Sequence, residues 1–327
     1  MTKTNLITGF LGSGKTTTLR HLLAQKPEGE KWAILVNEFG EIGIDGALLA
    51  DSGAVLKEIP GGCMCCVNGL PMQVGLNMLL QQAKPDRLLI EPTGLGHPKQ
   101  ILSLLTSEVY HNWITLNATL CLLDPRQLSD QRVIDNENFR DQLACADVIV
   151  ANKADVAQPQ DQQALETWYR LNGGGRQLVI ASQGAVDPAL LDLPRLNQAQ
   201  LPDGKHHHVH AEKRGLAALS LPGTQRWRRA VNQGDGYTSC GWIFDGDTQF
   251  DTAGILDWAR MAPVDRVKGI LRIKEGTLLI NRQGNDLHIE TKPVAPLDSR
   301  IELITRDVAQ WNELQSLLLK VRLSCKD

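Results

Sequence analysis

The octapeptide Gly9-Phe10-Leu11-Gly12-Ser13-Gly14-Lys15-Thr16 constrains this chain more than any other stretch. It fits the spacing G-x-x-x-x-G-K-[ST], with a short apolar strand containing Leu6-Ile7 before it and a helix-like run after it. Glycines at these places let the backbone close into a nest of N–H groups aimed at phosphate oxygens. Lys15 can then reach the β- and γ-phosphates, and the Thr16 hydroxyl can ligate Mg²⁺. Gly9, Gly12, Ser13, Gly14, Lys15, Thr16 and Thr17 are the expected contacts.

The rest of the first half repeats the strand and helix alternation that such a loop demands. Apolar, β-branched runs predict strands over Asn5 to Thr8, Trp32 to Val36, Val55 to Ile59, Arg87 to Ile90, Ala118 to Leu123, Val148 to Ala151 and Leu178 to Ala181. Helices are expected near Lys15 to Gln25, Leu70 to Ala83, Pro98 to Ser107, Asn138 to Cys145 and Gln160 to Leu171. Strands separated by helices pair in parallel through crossovers, so residues 1–193 are expected to form a doubly wound α/β domain. A proline- and histidine-bearing stretch over 194–213 reads as a linker. Residues 214–327 then carry strand-like runs in succession, including Gly215 to Leu221 and Tyr237 to Phe244. Helices are expected there only over Thr252 to Met261, capped by Asp251, and over Val308 to Val321, after Asp307. That succession predicts a smaller α+β domain with a mainly antiparallel sheet.

Two further motifs complete a triphosphate site. Leu88-Leu89-Ile90-Glu91-Pro92-Thr93-Gly94 ends an apolar run with a carboxylate, followed three residues later by glycine. In a parallel sheet that end opens onto the same crevice as the phosphate loop, so Glu91 is a candidate for holding Mg²⁺ through water and the Gly94 N–H for sensing a γ-phosphate. Asn152-Lys153-Ala154-Asp155 follows another apolar run. A carboxylate at Asp155 accepts the N1–H and exocyclic amine of guanine, whereas adenine presents an acceptor and leaves it mispaired. Asn152 is placed to tie the base region to the phosphate loop, and the Lys153 stem to cover the base. Ala181-Ser182 is a further candidate, offering a backbone N–H to the base oxygen.

The seven cysteines are unevenly spread, with Cys63, Cys65 and Cys66 inside Gly61-Gly62-Cys63-Met64-Cys65-Cys66. Such a cluster suits a borderline-soft cation such as Zn²⁺ better than a disulfide framework. Adjacent Cys65 and Cys66 cannot readily share one ion, so further ligands are sought among the carboxylates of Asn37-Glu38-Phe39-Gly40-Glu41-Ile42-Gly43-Ile44-Asp45. A redox C-x-x-C formed by Cys63 and Cys66, or an inert buried trio, remains an alternative. Four of the eight histidines lie between His206 and His210, read either as a weak metal-collecting loop or as a solvated linker. His97 is read as a metal ligand or a helix cap. With 34 Lys+Arg against 37 Asp+Glu, net charge −3, nothing argues for a nucleic-acid or membrane surface. No apolar run approaches the roughly 18 residues of a membrane span, and the short apolar start is broken by glycine, so a cytoplasmic chain is expected.

Taken in order, G-x-x-G-x-G-K-T, N-E-F-G-E-I-G-I-D, G-G-C-M-C-C, E-P-T-G and N-K-A-D resemble the CobW-like GTPases, a family that groups with the GTPases delivering nickel to urease and hydrogenase. Asp265-Arg266-Val267-Lys268-Gly269 is similar to that family's C-terminal R-x-K-G element, so the resemblance spans essentially the whole chain. It implies a slow, Mg²⁺-dependent GTPase converting GTP to GDP and phosphate, and binding zinc or another transition metal. Such a protein would act as a metallochaperone toward a recipient apo-metalloprotein or in zinc homeostasis. It also implies that Cys63, Cys65 and Cys66, with Glu38 and Glu41, hold the metal, coupled to the nucleotide state. Pro92 departs from the family pattern, where a second Thr is common. A non-catalytic regulator that responds to GTP and zinc is the rival reading.

Overall fold

The computed structural model describes residues 1–37, 53–59, 70–196, 226–234, 236–307 and 309–323. The chain divides into two compact units, the described residues 1–196 falling mainly in the first and 226–323 in the second.

In the first unit the strands are β1 (Thr2–Gly9), β2 (Trp32–Asn37), β3 (Val55–Ile59), β4 (Arg87–Glu91), β5 (Ile114–Leu116), β6 (Leu120–Leu123), β7 (Val148–Ala151) and β8 (Gln177–Ile180). They pair in parallel in the order β3-β2-β4-β1-β6-β7-β8, with β5 beside the start of β1. Neighbouring residues of one strand face opposite sides. Ile7, Ile34, Leu89, Leu120 and Val150 pack with Leu19 and Leu22 of the helix Lys15–Ala24. Leu6, Leu35, Leu88 and Ile90 pack on the other side with Met72 and Leu76 of the helix Leu70–Met78 and with Ile101 and Leu102 of Pro98–Leu105. Both faces are thus covered, which is why these strands read as continuous apolar runs and why the sheet is doubly wound. The helix Leu70–Met78 widens at Leu79–Ala83 into a π turn rather than continuing as an α-helix to Ala83.

The second unit is an antiparallel sheet of six strands in the order β13-β12-β11-β14-β10-β9. These are β9 (Trp227–Gly234), β10 (Tyr237–Phe244), β11 (Arg266–Ile273), β12 (Gly276–Gln283), β13 (Asp286–Lys292) and β14 (Ser299–Thr305). The helices Thr252–Met261 and Trp311–Lys320 bury Ile255, Trp258, Leu314 and Leu318 against Trp242, Phe244, Leu271 and Leu303 on one face. Trp242 and Trp258 meet edge to face, 6.3 Å between ring centroids. Asp251 caps the first helix, its carboxylate accepting from the Gly254 N–H at 2.7 Å. The second helix begins at Trp311 with Gln310 as its N-cap, so the start expected just after Asp307 is displaced by a turn. The strand expected over Gly215 to Leu221, and the linker beyond Leu196, lie outside the described residues.

Candidate functional site

Because the strands of the first sheet run parallel, β1, β4, β6 and β7 end on one side, and their last residues bring the sequence motifs together. β1 ends at Gly9 and the helix Lys15–Ala24 starts at Lys15, leaving a five-residue loop between them. Gly9, Gly12 and Gly14 take φ of 144°, 74° and 101°, values open to glycine and strained for other residues. A Cβ at Gly9 would stand 2.5 Å from the Leu122 carbonyl oxygen, and one at Gly14 would strike the Asn152 side-chain nitrogen. This is a cradle that any side chain at those positions would fill. The Ser13 hydroxyl is buried with no hydrogen-bond partner among the described residues. Lys15 Nζ, largely buried, donates to the Gly9 and Phe10 carbonyl oxygens at 2.9 and 3.3 Å. The loop is therefore held closed by the ammonium that the motif would turn toward phosphate. Thr17, one residue further along the helix, is exposed.

Glu91 closes β4, the neighbour of β1, and is buried. Thr16 Oγ1 donates to Glu91 Oε1 at 3.3 Å. A hydroxyl and a carboxylate at that separation form a hard, all-oxygen donor pair of the kind Mg²⁺ selects. Beyond Glu91 the backbone turns back on itself: the Gly96 N–H donates to the Thr93 carbonyl at 2.8 Å and the Leu95 N–H to Thr93 Oγ1 at 3.3 Å. Pro92, which donates no backbone bond, is accommodated there because Thr93 supplies the bonding. Gly94 lies against the phosphate loop, since a Cβ on it would be 2.9 Å from the Leu11 nitrogen.

The N-K-A-D segment joins the same edge. Asn152 is 1% exposed, and its Nδ2 donates to the Ser13 carbonyl at 2.9 Å while its Oδ1 accepts from the Gly184 N–H at 2.9 Å. One amide thus bridges the phosphate loop and the segment after β8. Gly184, at φ 74°, lies so close to the first turn of the helix Lys15–Ala24 that a Cβ would be 2.7 Å from the Thr18 nitrogen. Lys153, at φ 63°, directs its ammonium to Asp124 Oδ2 at 3.4 Å, and Asp155 is exposed. Ala181, just past β8, accepts from the Ala154 N–H at 3.0 Å, so the segment after β8 is bonded directly to the N-K-A-D turn.

Several residues at this edge carry no local signature. Asp124 follows β6, is buried, and takes Arg126 Nη2 at 2.7 Å besides Lys153. Gln127 donates to the Leu11 carbonyl at 2.8 Å. The only sequence signal for Asp124 is an apolar run closed by an acid, the same signal that singles out Glu91. His97 precedes the helix Pro98–Leu105 as its N-cap without a side-chain capping bond, its Nδ1 instead facing Asp141 Oδ2 at 3.5 Å. Glu38, Glu41, Cys63, Cys65, Cys66 and the run His206 to His210 lie outside the described residues. Among the described residues no group of three or more His, Cys, Asp and Glu is arranged to hold a metal ion, and Cys121, Cys145 and Cys240 are buried free thiols. No helix among them is long and apolar enough to cross a membrane.

Residues 3–179 match the family model for the CobW/HypB/UreG nucleotide-binding domain, and residues 239–322 match that for the cobalamin synthesis protein cobW C-terminal domain. The zinc chaperone YeiR of Escherichia coli K12 is 70% identical over 325 residues, covering 99% of each chain. The zinc chaperone CobW of Pseudomonas aeruginosa is 33% identical over 242 residues, 63% of each chain. The zinc chaperone YjiA of E. coli K12 is 33% identical over 192 residues, 57% of this chain and 59% of the relative.

Proposed function

The chain belongs to the CobW/HypB/UreG family, and on that premise we propose that it is a cytoplasmic, Mg²⁺-dependent GTPase that carries zinc or a related transition metal to a recipient apo-metalloprotein. The observation that carries the nucleotide half of this reading is the pair of hydrogen bonds by which Asn152 donates to the Ser13 carbonyl and accepts from the Gly184 N–H, which supports one binding edge from phosphate loop to base. Gly9, Gly12, Ser13, Gly14, Lys15, Thr16 and Thr17 would line the phosphates, and Asp155 would pair with guanine through its exposed carboxylate. Lys153, steadied by Asp124, would lie along the base. Thr16 and Glu91 would hold Mg²⁺, whose chemistry there is to neutralise charge that develops on the phosphate oxygens. Lys15 exchanges its two carbonyl partners for phosphate oxygens and stabilises the same charge. Gly94 meets the terminal phosphate, so its segment responds to hydrolysis.

The metal half rests on the thiols of Cys63, Cys65 and Cys66 with Glu38 and Glu41, and on the likeness to the zinc chaperone YeiR, which aligns with nearly the whole chain. Segments 38–45 and 63–66 follow β2, the neighbour of β4, and β3, which pairs with β2 on its other side, so nucleotide and metal would bias each other with equal coupling. The test is transfer of zinc from the loaded chain to an apo-acceptor with GTP and with a non-hydrolysable analogue. Faster transfer during turnover is expected, and equal rates would identify a regulator instead. Lys15→Ala should abolish hydrolysis, and Cys65→Ala should lower zinc affinity markedly; retained turnover in the first or unchanged zinc binding in the second refutes the corresponding half.

A further inference from the structure

The helix Glu137–Ala144 belongs to none of the motifs, yet its side chains meet both the phosphate loop and the segment after Glu91. Gln142, 1% exposed, donates from Nε2 to the Gly94 carbonyl at 2.9 Å and to the Gly96 carbonyl at 3.1 Å. One residue earlier, Asp141 pairs with Lys99 at 2.8 Å and faces His97 at 3.5 Å. Phe139 stands edge to face against Phe10 of the phosphate loop, with 5.6 Å between centroids. The stretch from Gly94 to Lys99 is therefore pinned to one helix, and that helix also supports the loop on which Gly94 rests.

We propose that Gln142 is a positioning residue that sets the Gly94 peptide where its N–H meets a terminal phosphate, so that the site distinguishes a nucleoside triphosphate from a diphosphate. The reasoning starts from the softness of glycine. Gly94 has no Cβ to restrict it, so the peptides on its two sides rotate independently unless one is held. The Gln142 amide holds the carbonyl side, and the second bond, two residues on at Gly96, prevents the pair from sliding together. Gln142 Oε1 is buried without a hydrogen-bond partner among the described residues, so the amide serves this segment alone. An apolar side chain of equal length then removes the two donated bonds and little else.

The proposal rests on the nucleotide reading above, and the experiment separates the two. In the full chain with Gln142→Met, dissociation constants are measured for GDP and for a non-hydrolysable GTP analogue with Mg²⁺, together with kcat and KM for GTP. GDP affinity should stay within about twofold, while the preference for the analogue and kcat each fall about tenfold, as expected for loss of hydrogen bonds that matter only when the terminal phosphate is present. Gln142→Asn keeps the amide but withdraws it by one methylene, and the same split should appear. Equal weakening of both nucleotides in step with a lowered melting temperature marks a purely structural residue and overturns the proposal. An unchanged preference and kcat overturn it as well. If the unmodified chain binds no guanine nucleotide, the nucleotide reading itself falls.

Discussion

Replacing Asn152 by Ala tests whether the phosphate loop and the base segment are joined before any nucleotide arrives. The substitution removes the donor to the Ser13 carbonyl and the acceptor for the Gly184 N–H, both at 2.9 Å in a side chain that is 1% exposed. Each buried backbone group left without a partner costs about 1–3 kcal/mol. A water entering the vacated space recovers part of this, which leaves about 2–4 kcal/mol for the two groups. For a unit of this size that corresponds to a fall of roughly 5–15 °C in melting temperature. Urea unfolding followed by circular dichroism in nucleotide-free buffer measures the free-energy loss. Asp155→Ala serves as the contrast from the same motif: its side chain is exposed, so stability should change by less than about 0.5 kcal/mol while guanine selectivity is lost. A loss below about 0.5 kcal/mol for Asn152→Ala in the nucleotide-free chain would refute the idea that this amide braces the edge.

Burial pushes the thiols of Cys121, Cys145 and Cys240 up to about 12, so at pH 8 the reactive thiolate is of the order of one part in ten thousand. All three should escape an aromatic disulfide reagent in the native chain and react after denaturation, which peptide mass mapping resolves. Glu302 is pushed up to about 8, chiefly by burial in the middle of β14, with Lys268 and Arg266 pulling it partly back. The folded chain therefore keeps this proton up to about pH 8, whereas the unfolded chain releases it near the ordinary glutamate value of 4.5. Unfolding releases a proton between those limits, so this group lowers native stability as pH rises through the window. The stability of Glu302→Gln relative to the parent should rise across the same window and level off above it; a difference that is flat with pH would show that Glu302 is ionised in the folded chain.

Elements with a strong apolar run were legible to the residue or nearly so. Val148–Ala151, Tyr237–Phe244 and the helix Thr252–Met261 coincide with their expected spans, because burial on one or both faces leaves a periodic signal. β5 at Ile114–Leu116 is too short for any period, and it is a strand because the edge of β1 is there to receive it. β9 reads Trp-Arg-Arg-Ala-Val-Asn-Gln-Gly, a stretch with no apolar run to predict a strand. Its Arg229 side chain spends its polarity on Asn312 and Gln315 of a helix more than eighty residues away. The π turn at Leu79–Ala83 likewise leaves no mark in an apolar pattern that suits an uninterrupted helix.

By itself the sequence determined most of the elements and their order, and carried the motifs that are read as a phosphate loop, a guanine reader and a soft-metal cluster. These are local properties, carried by glycine conformations, side-chain chemistry and spacing within a few residues. Only the tertiary structure decided that β4 and β6 flank β1, which places Glu91, Asp124 and Asn152 along one edge. It fixed the Ser13 carbonyl, 139 residues away, as the group that the expected Asn152 tie bonds, and it alone decided that Gln142 reaches Gly94 across 48. Beyond the local caps that asparagine and aspartate make, these amides and carboxylates have no partner fixed by sequence spacing. Their roles are set when parallel pairing brings distant strand ends within hydrogen-bond reach, and burial then makes every unmet donor or acceptor costly.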